Sequence, residues 1–318
     1  MIISASRRTD IPSYYTDWFL NRIQEKQVWV RNPMNAHQIS RIDLSPEVVD
    51  GIVFWTKNPR PMLKRLNELK EYAYYFQYTL NPYGREIEEH LPLLKDRMNS
   101  FQCLSEMIGK ERVIWRYDPV ILNDTYTVQY HVKEFSSMAE MLAPYTNKCV
   151  FSYLDFYTKM KNRMKQMGIR PAVREEKEYL AEAFSKAASR YGIALETCAE
   201  DIDLHKFGIA HGRCIDDRLL SEIIDCPLKV EKDKNQRLEC GCAASIDIGL
   251  YNTCKNGCVY CYANLNHELT LENNAKYDRD SPLLCSKLGD KDIVKDRNVK
   301  SLKERQLSLF SRESIILS

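Results

Sequence analysis

Along the first two hundred residues, six short runs of β-branched and aromatic residues recur, with amphipathic stretches between them. The runs are IISAS (2–6), GIVFWTK (51–57), YYFQYTL (74–80), RVIWRYD (112–118), CVFSYLDFY (149–157) and IALETCA (193–199). Strict alternation of apolar and polar residues would mark strands with one wet face. Near-continuous apolar runs mark strands buried on both faces, as in parallel sheets. The intervening stretches carry helical stripes. Tyr15, Trp18, Phe19 and Ile23 share one face, as do Leu63, Leu66 and Leu69 behind Pro61. Val128, Val132, Phe135 and Leu142 form a third stripe. Tyr179, Leu180, Ala183, Phe184 and Ala187 form a fourth, with Gly192 as its C-cap. Six β/α units in series predict an α/β fold: a parallel (β/α) barrel, partial or closed, or an open sheet. The 318 residues suit one barrel or about two ordinary domains. With 44% apolar and 28% charged residues, a disordered, collagen-like or coiled-coil chain is excluded.

Forty-six Lys and Arg against 44 Asp and Glu leave a net charge of +2, which argues against strong global attraction to nucleic acid but not against a local basic groove. No run approaches the ~18 apolar residues of a membrane span. MIISASRRTD lacks the pattern of a secretory leader, so a cytoplasmic location is expected. Eleven cysteines in such a compartment call for an explanation other than disulfides, and most fall between Cys198 and Cys261. The chain divides accordingly. Residues 1–200 hold the β/α units, and 201–264 form a cysteine-rich segment that completes the barrel. Residues 265–318 are read as a charged helix-and-loop appendage with few core candidates.

Polar residues gather where the predicted strands end: Arg7, Arg8 and Asp10; Lys57 and Asn58; Asn81; Arg116 and Asp118; Asp155 and Lys159; Glu196. Barrel enzymes assemble their sites on that face. Lys57, Arg116, Asp118 and Glu196 are the leading candidates for groups at the mouth. The histidines make no ligand pattern, and neither a nucleophile elbow nor a Walker loop is present.

The most specific motif is CKNGCVYC, which sets Cys254, Cys258 and Cys261 in C-x-x-x-C-x-x-C spacing. Three thiolates on one short loop can hold three irons of a [4Fe–4S] cluster and leave the fourth open, because such clusters require soft ligands. Two alternatives stand beside this: a zinc ribbon joining Cys240 and Cys242 to Cys258 and Cys261, and an electron-transfer cluster completed by a fourth cysteine. Both leave the aromatic before Cys261 unexplained, and the ribbon leaves Cys254 idle.

The spacing and the aromatic at Tyr260 resemble the radical S-adenosylmethionine (radical SAM) superfamily. The longer string YNTCKNGCVYCYAN (251–264) is similar to its spore photoproduct lyase-like branch. Through SASRRTDIP, FWTKNP, RYDP, SYLDFY and the CGC…YCYAN ending, the chain also resembles the bacterial family designated domain of unknown function 1848. The superfamily resemblance implies that the open iron binds S-adenosylmethionine. A reduced cluster would then cleave the S–C5′ bond to methionine and a 5′-deoxyadenosyl radical. It also implies cofactor-binding roles for Tyr260, beside the adenine, and for Asn264, and a reductant such as flavodoxin or ferredoxin. In the superfamily this loop follows the first strand. Here it follows SIDIGLY (245–251), near the end. Circular permutation reconciles the two and predicts that 246–249 lies beside 2–5.

Cys198, Cys214, Cys240 and Cys242 are candidates for a second cluster or metal site. Cys103, Cys149, Cys226 and Cys285 have no partners in sequence. Near the end, QLSLF (Gln306 to Phe310) resembles the pentapeptide by which bacterial repair and replication proteins dock on the sliding clamp. That makes DNA or a nucleotide the expected substrate. Arg7, Arg8, Lys57, Arg60, Arg85 and Arg116 are available for phosphates, and Trp55, Tyr83, Tyr117 and Tyr157 for stacking a base. Two other classes remain: a radical enzyme acting on a peptide or small metabolite, and a non-catalytic zinc or iron–sulfur binding protein.

Overall fold

The computed structural model describes residues 1–156, 160–237, 239–264 and 266–304. Among the described residues eleven strands are formed: β1 (Ile2–Ala5), β2 (Gln27–Asn32), β3 (Asn35–Asp43), β4 (Gly51–Thr56), β5 (Tyr74–Thr79), β6 (Val113–Val120), β7 (Lys148–Tyr153), β8 (Ala194–Thr197), β9 (Ala210–His211), β10 (Ile246–Asp247) and β11 (Ile293–Asp296). Eight of them make one sheet in the order β10-β1-β4-β5-β6-β7-β8-β9, and every pairing in it is parallel. All six predicted runs are strands of this sheet. The fold is therefore α/β and parallel; β10 and β9 are its two edges, and no pairing joins them among the described residues. The predicted adjacency is present: β10 lies parallel to β1, with Ile3 opposite Ile246 and Ser4 opposite Asp247.

Double-sided burial has a concrete cause here. Ile3, Phe54, Phe76, Trp115 and Phe151 face one side, in one core with residues of α2 (Thr16–Gln24), α4 (Leu94–Ile108), α5 (Val128–Leu142) and α7 (Arg174–Arg190). There Phe54 stacks on Phe76 and Phe135 on Phe184, with centroids 4.7 and 4.0 Å apart. The alternate residues Ile2, Val53, Tyr75, Ile114 and Val150 face the other side. Their cover is Leu220 of α8 (Asp217–Ile224) together with Cys214, Ile215, Cys240, Cys242 and Ala243. The cysteine-rich segment is thus the lid on the sheet's second face.

Two expectations change, and one element was not foreseen. Leu63, Leu66 and Leu69 do not share a helix; a short α3 (Arg60–Leu63) is followed by a separate 3-10 turn, Leu66–Leu69. The stretch 27–43, which lacks a long apolar run, forms the antiparallel hairpin β2–β3, and β11 adds to it in parallel. The charged stretch after 265 is better anchored than an appendage. Leu283, Leu284 and Cys285 are buried, and Trp18 Nε1 donates to Ser281 O at 2.9 Å. Among the described residues no helix is long and apolar enough to cross a membrane. Gln306–Phe310, Tyr157 and Lys159 lie outside the described residues.

Candidate metal and cofactor site

A cavity of about 540 Å³ opens where β1, β4, β6, β7 and β10 reach their C-terminal ends. Parallel strands all point one way, so the residues just beyond them collect at a single mouth. Arg7, Arg8, Asp10, Lys57, Arg116, Asp118 and Asp155 reach this cavity; Asn58, Asn81 and Glu196 do not line it.

The loop after β10 puts Cys254, Cys258, Tyr260 and Cys261 on the cavity wall. Its backbone is held from both sides. Tyr15 Oη donates to Thr253 O at 2.6 Å, and Tyr14 Oη donates to Asn256 Oδ1 at 2.7 Å. On the far side, His90 N donates to Asn256 O at 3.1 Å and Val259 N to Ile87 O at 2.9 Å. Asp10 joins three elements: its carboxylate caps α1 (Ile11–Tyr14) at Ser13 N, accepts from Thr56 Oγ1 and Lys57 N, and accepts from Asn256 Nδ2 at 3.2 Å. Asn264 does not line the cavity; its amide donates to the Cys254 carbonyl, so it braces the loop from within.

Burial pushes all three thiols up; Cys261 adds to the effect at Cys254, while Lys57 opposes it at Cys258. Thiols in that setting ionise only against a positive charge, which a bound metal supplies. Three soft donors from one braced loop therefore suit an iron–sulfur cluster in donor type. As placed, no group of three or more described His, Cys, Asp or Glu side chains converges on a common metal position.

Behind this loop lies a buried ion-pair network. Lys57 Nζ donates to Glu88 Oε1 at 2.8 Å and to Tyr260 Oη at 2.6 Å, and Arg97 Nη1 donates to Glu88 Oε2 at 3.0 Å. The Tyr260 hydroxyl donates in turn to Glu88. Burial alone would raise the Glu88 carboxyl; Lys57 and Arg97 outweigh it and hold the group below its usual range. Tyr260 is thereby fixed with its ring at the cavity rather than in solvent.

Opposite, Arg116 pairs with Asp118 (Nε to Oδ2, 3.0 Å) and sits 5.1 Å from the centroid of Trp55. Arg7 lies 6.0 Å from the same ring. Burial would raise the Asp118 carboxyl, but Arg116 draws it below its usual value. The Trp55 indole N–H is buried and has no hydrogen-bond partner among the described residues. Glu196, a predicted catalytic group, instead pairs with Lys148 at 3.0 Å away from the mouth.

Other candidates separate. The Tyr117 ring is sealed in the core between Phe135, Phe184 and His131, and Tyr83 is buried with its hydroxyl on Pro119 O. Neither is available to stack a base. Arg60 and Arg85 are exposed and do not line the cavity. Cys198, Cys214, Cys240 and Cys242 line it together; Cys103, Cys149, Cys226 and Cys285 do not. Cys242 Sγ accepts from Ile215 N at 3.4 Å, beside Cys214. Asp247 went unnoticed in the sequence. It ends β10, accepts from Arg7 N and Ser4 Oγ at 2.8 and 3.0 Å, and lines the cavity. A carboxylate closing the strand before the cysteine loop was its only signal.

No curated protein and no solved structure matches the chain. The sequence profile of one family, described as a domain of unknown function, matches residues 2–263. That span contains the strands of the parallel sheet and all seven cavity cysteines. The chain belongs to the DUF1848 family.

Proposed function

We propose that the protein is a radical SAM enzyme, with a [4Fe–4S] cluster on Cys254, Cys258 and Cys261 and S-adenosylmethionine in the adjoining cavity. The supporting observation is that the three-cysteine loop lines a cavity at the strand ends, directly after a strand that lies parallel to the N-terminal one. That neighbourhood supports the circular permutation expected from the superfamily resemblance. Bound there, the cluster would supply the electron that cleaves S-adenosylmethionine to methionine and a 5′-deoxyadenosyl radical. The chain's own part is positional. Asn264 and Asp10 brace the loop, Lys57 and Glu88 fix the Tyr260 ring, and the enclosing walls limit water.

For substrate we propose a nucleotide or nucleic acid, supported by Trp55, which lines the cavity with the Arg7 and Arg116 guanidinium groups 6.0 and 5.1 Å from its ring. Docking on a sliding clamp through Gln306–Phe310, a flavodoxin or ferredoxin as reductant, and a cytoplasmic setting belong to the same proposal. Anaerobically purified protein should carry the iron and sulfide of one [4Fe–4S] cluster and form 5′-deoxyadenosine with a reductant. Changing Cys254, Cys258 or Cys261 to Ala should abolish both. In the same preparation, clamp binding should be lost in Leu307→Ala/Phe310→Ala. Iron-free wild-type protein that makes no 5′-deoxyadenosine would leave the binding-protein class standing instead.

A further inference from the structure

We propose that Cys198, Cys214, Cys240 and Cys242 form a second metal centre: a closed tetrathiolate site for one zinc ion. It does not depend on the Cys254–Cys258–Cys261 loop carrying a cluster. All four line the cavity, and two of the thiols already meet: Cys214 Sγ lies 3.3 Å from Cys198 Sγ, while Cys242 Sγ accepts from the backbone N–H of Ile215, the residue after Cys214. They come from three separate stretches: the end of β8, the loop after β9, and the irregular loop before β10.

Two glycines permit that meeting. A Cβ on Gly212 would stand 2.9 Å from Thr197 O, next to Cys198. A Cβ on Gly241, between two of the ligands, would stand 3.1 Å from Gly212 O and 2.8 Å from Arg213 Cγ, next to Cys214. The backbones therefore touch where the cysteines lie, which a loop serving only as a connection does not need. N–H donors also reach the sulfurs. Arg116 Nη1 donates to Cys214 Sγ at 2.8 Å, and Ile215 N donates to Cys242 Sγ at 3.4 Å. Such donors offset the charge of thiolates around a metal. Cys214, Cys240 and Cys242 are each no more than 5% exposed, as befits a site with no open coordination position.

The short Cys198–Cys214 separation favours one ion over a cluster. With Zn–S near 2.3 Å, a tetrahedron has edges of about 3.8 Å, close to neighbouring thiols in contact. The outer thiolates of an iron–sulfur cube stand much further apart, because the metal framework lies between them. Loading is ligand exchange alone: each thiol passes its proton to water, no electron moves, and turning side chains close the four around the ion. The centre would staple the cysteine-rich lid to the sheet and hold Arg116 toward the cavity.

The test uses the full chain with Cys254, Cys258 and Cys261 all changed to Ala, purified without oxygen from zinc-supplemented medium. One zinc per chain is expected, with iron and sulfide absent. Adding Cys214→Ser or Cys242→Ser should remove the zinc. Should those variants fail to fold, cobalt(II) in the triple variant should give thiolate-to-cobalt charge-transfer bands and the spectrum of a tetrahedral site. Equal iron and sulfide in the triple variant would overturn the proposal, as would a metal-free protein with a Cys198–Cys214 disulfide. Failure of the radical SAM reading would show separately, as wild-type protein that holds zinc but no iron.

Discussion

His131 shows how one buried residue sets a pH limit on the fold. It is fully buried, with Nδ1 2.7 Å from the Tyr117 hydroxyl and Nε2 2.7 Å from Ile121 O. One nitrogen accepts and the other donates, so the neutral ring is satisfied and has no room for a second proton. Burial pushes its pKa down to about 4. In the unfolded chain the value is near 6.5. As pH falls through this window the unfolded chain takes up a proton that the folded chain refuses. Stability is therefore complete above about pH 6.5 and declines toward pH 4, by roughly 3 kcal/mol in all. Glu200, raised by burial to about 7, works in the opposite direction over part of the same range. Comparison with His131→Gln isolates the histidine. In urea denaturation at pH 7.5 and 5.0, wild type should lose more stability than the variant; equal losses would contradict the argument.

At the scale of elements, the join between β1 and β10 positions the cysteine loop. Only two residues of β10 are hydrogen-bonded as strand, so side chains carry much of the contact. Asp247 collects Ser4, Ser6 and the Arg7 amide, and the chain then passes over Ser6 at Gly249. A Cβ at 249 would stand 2.6 Å from Ser6 Cβ, which the backbone fixes, and 3.2 Å from Thr9 Cγ2. Overpacking of this kind costs about 1–3 kcal/mol. Gly249→Ala should lower the melting temperature by several degrees and reduce iron content in anaerobic preparations. A variant with wild-type melting and wild-type iron would show that this contact does not position the loop.

For the whole molecule, the sheet is closed in by distant parts of the sequence. The cysteine-rich segment covers one face, and the chain beyond 265 contributes Leu284 and Cys285 to the core on the other. Asp50, at the start of β4, accepts from Ser301 Oγ and Leu302 N at 2.5 and 2.7 Å. Residues near the C-terminus of the described chain are thus tied to the sheet where β4 begins. Leu284→Ala should cost roughly 2–5 kcal/mol, the usual penalty for a cavity in a packed core. Thermal denaturation measures it, and a shift within error would mean that this stretch is an appendage after all.

Unbroken apolar runs and helical stripes determined the parallel sheet and three of its covering helices, because burial on both faces leaves a periodicity that can be read locally. The C-x-x-x-C-x-x-C spacing likewise singled out its three cysteines, since all three lie on one loop. Other features were decided only by tertiary structure. Glu196 and Asp118 look alike at strand ends, yet packing turned one to Lys148 and the other to the cavity. The β2–β3 hairpin carries too few apolar residues to announce itself. Cys198, Cys214, Cys240 and Cys242 are spread over many residues of sequence, and nothing local says that their thiols meet. Their contact comes from chain crossings at Gly212 and Gly241, and such crossings exist only once the sheet has drawn distant segments together.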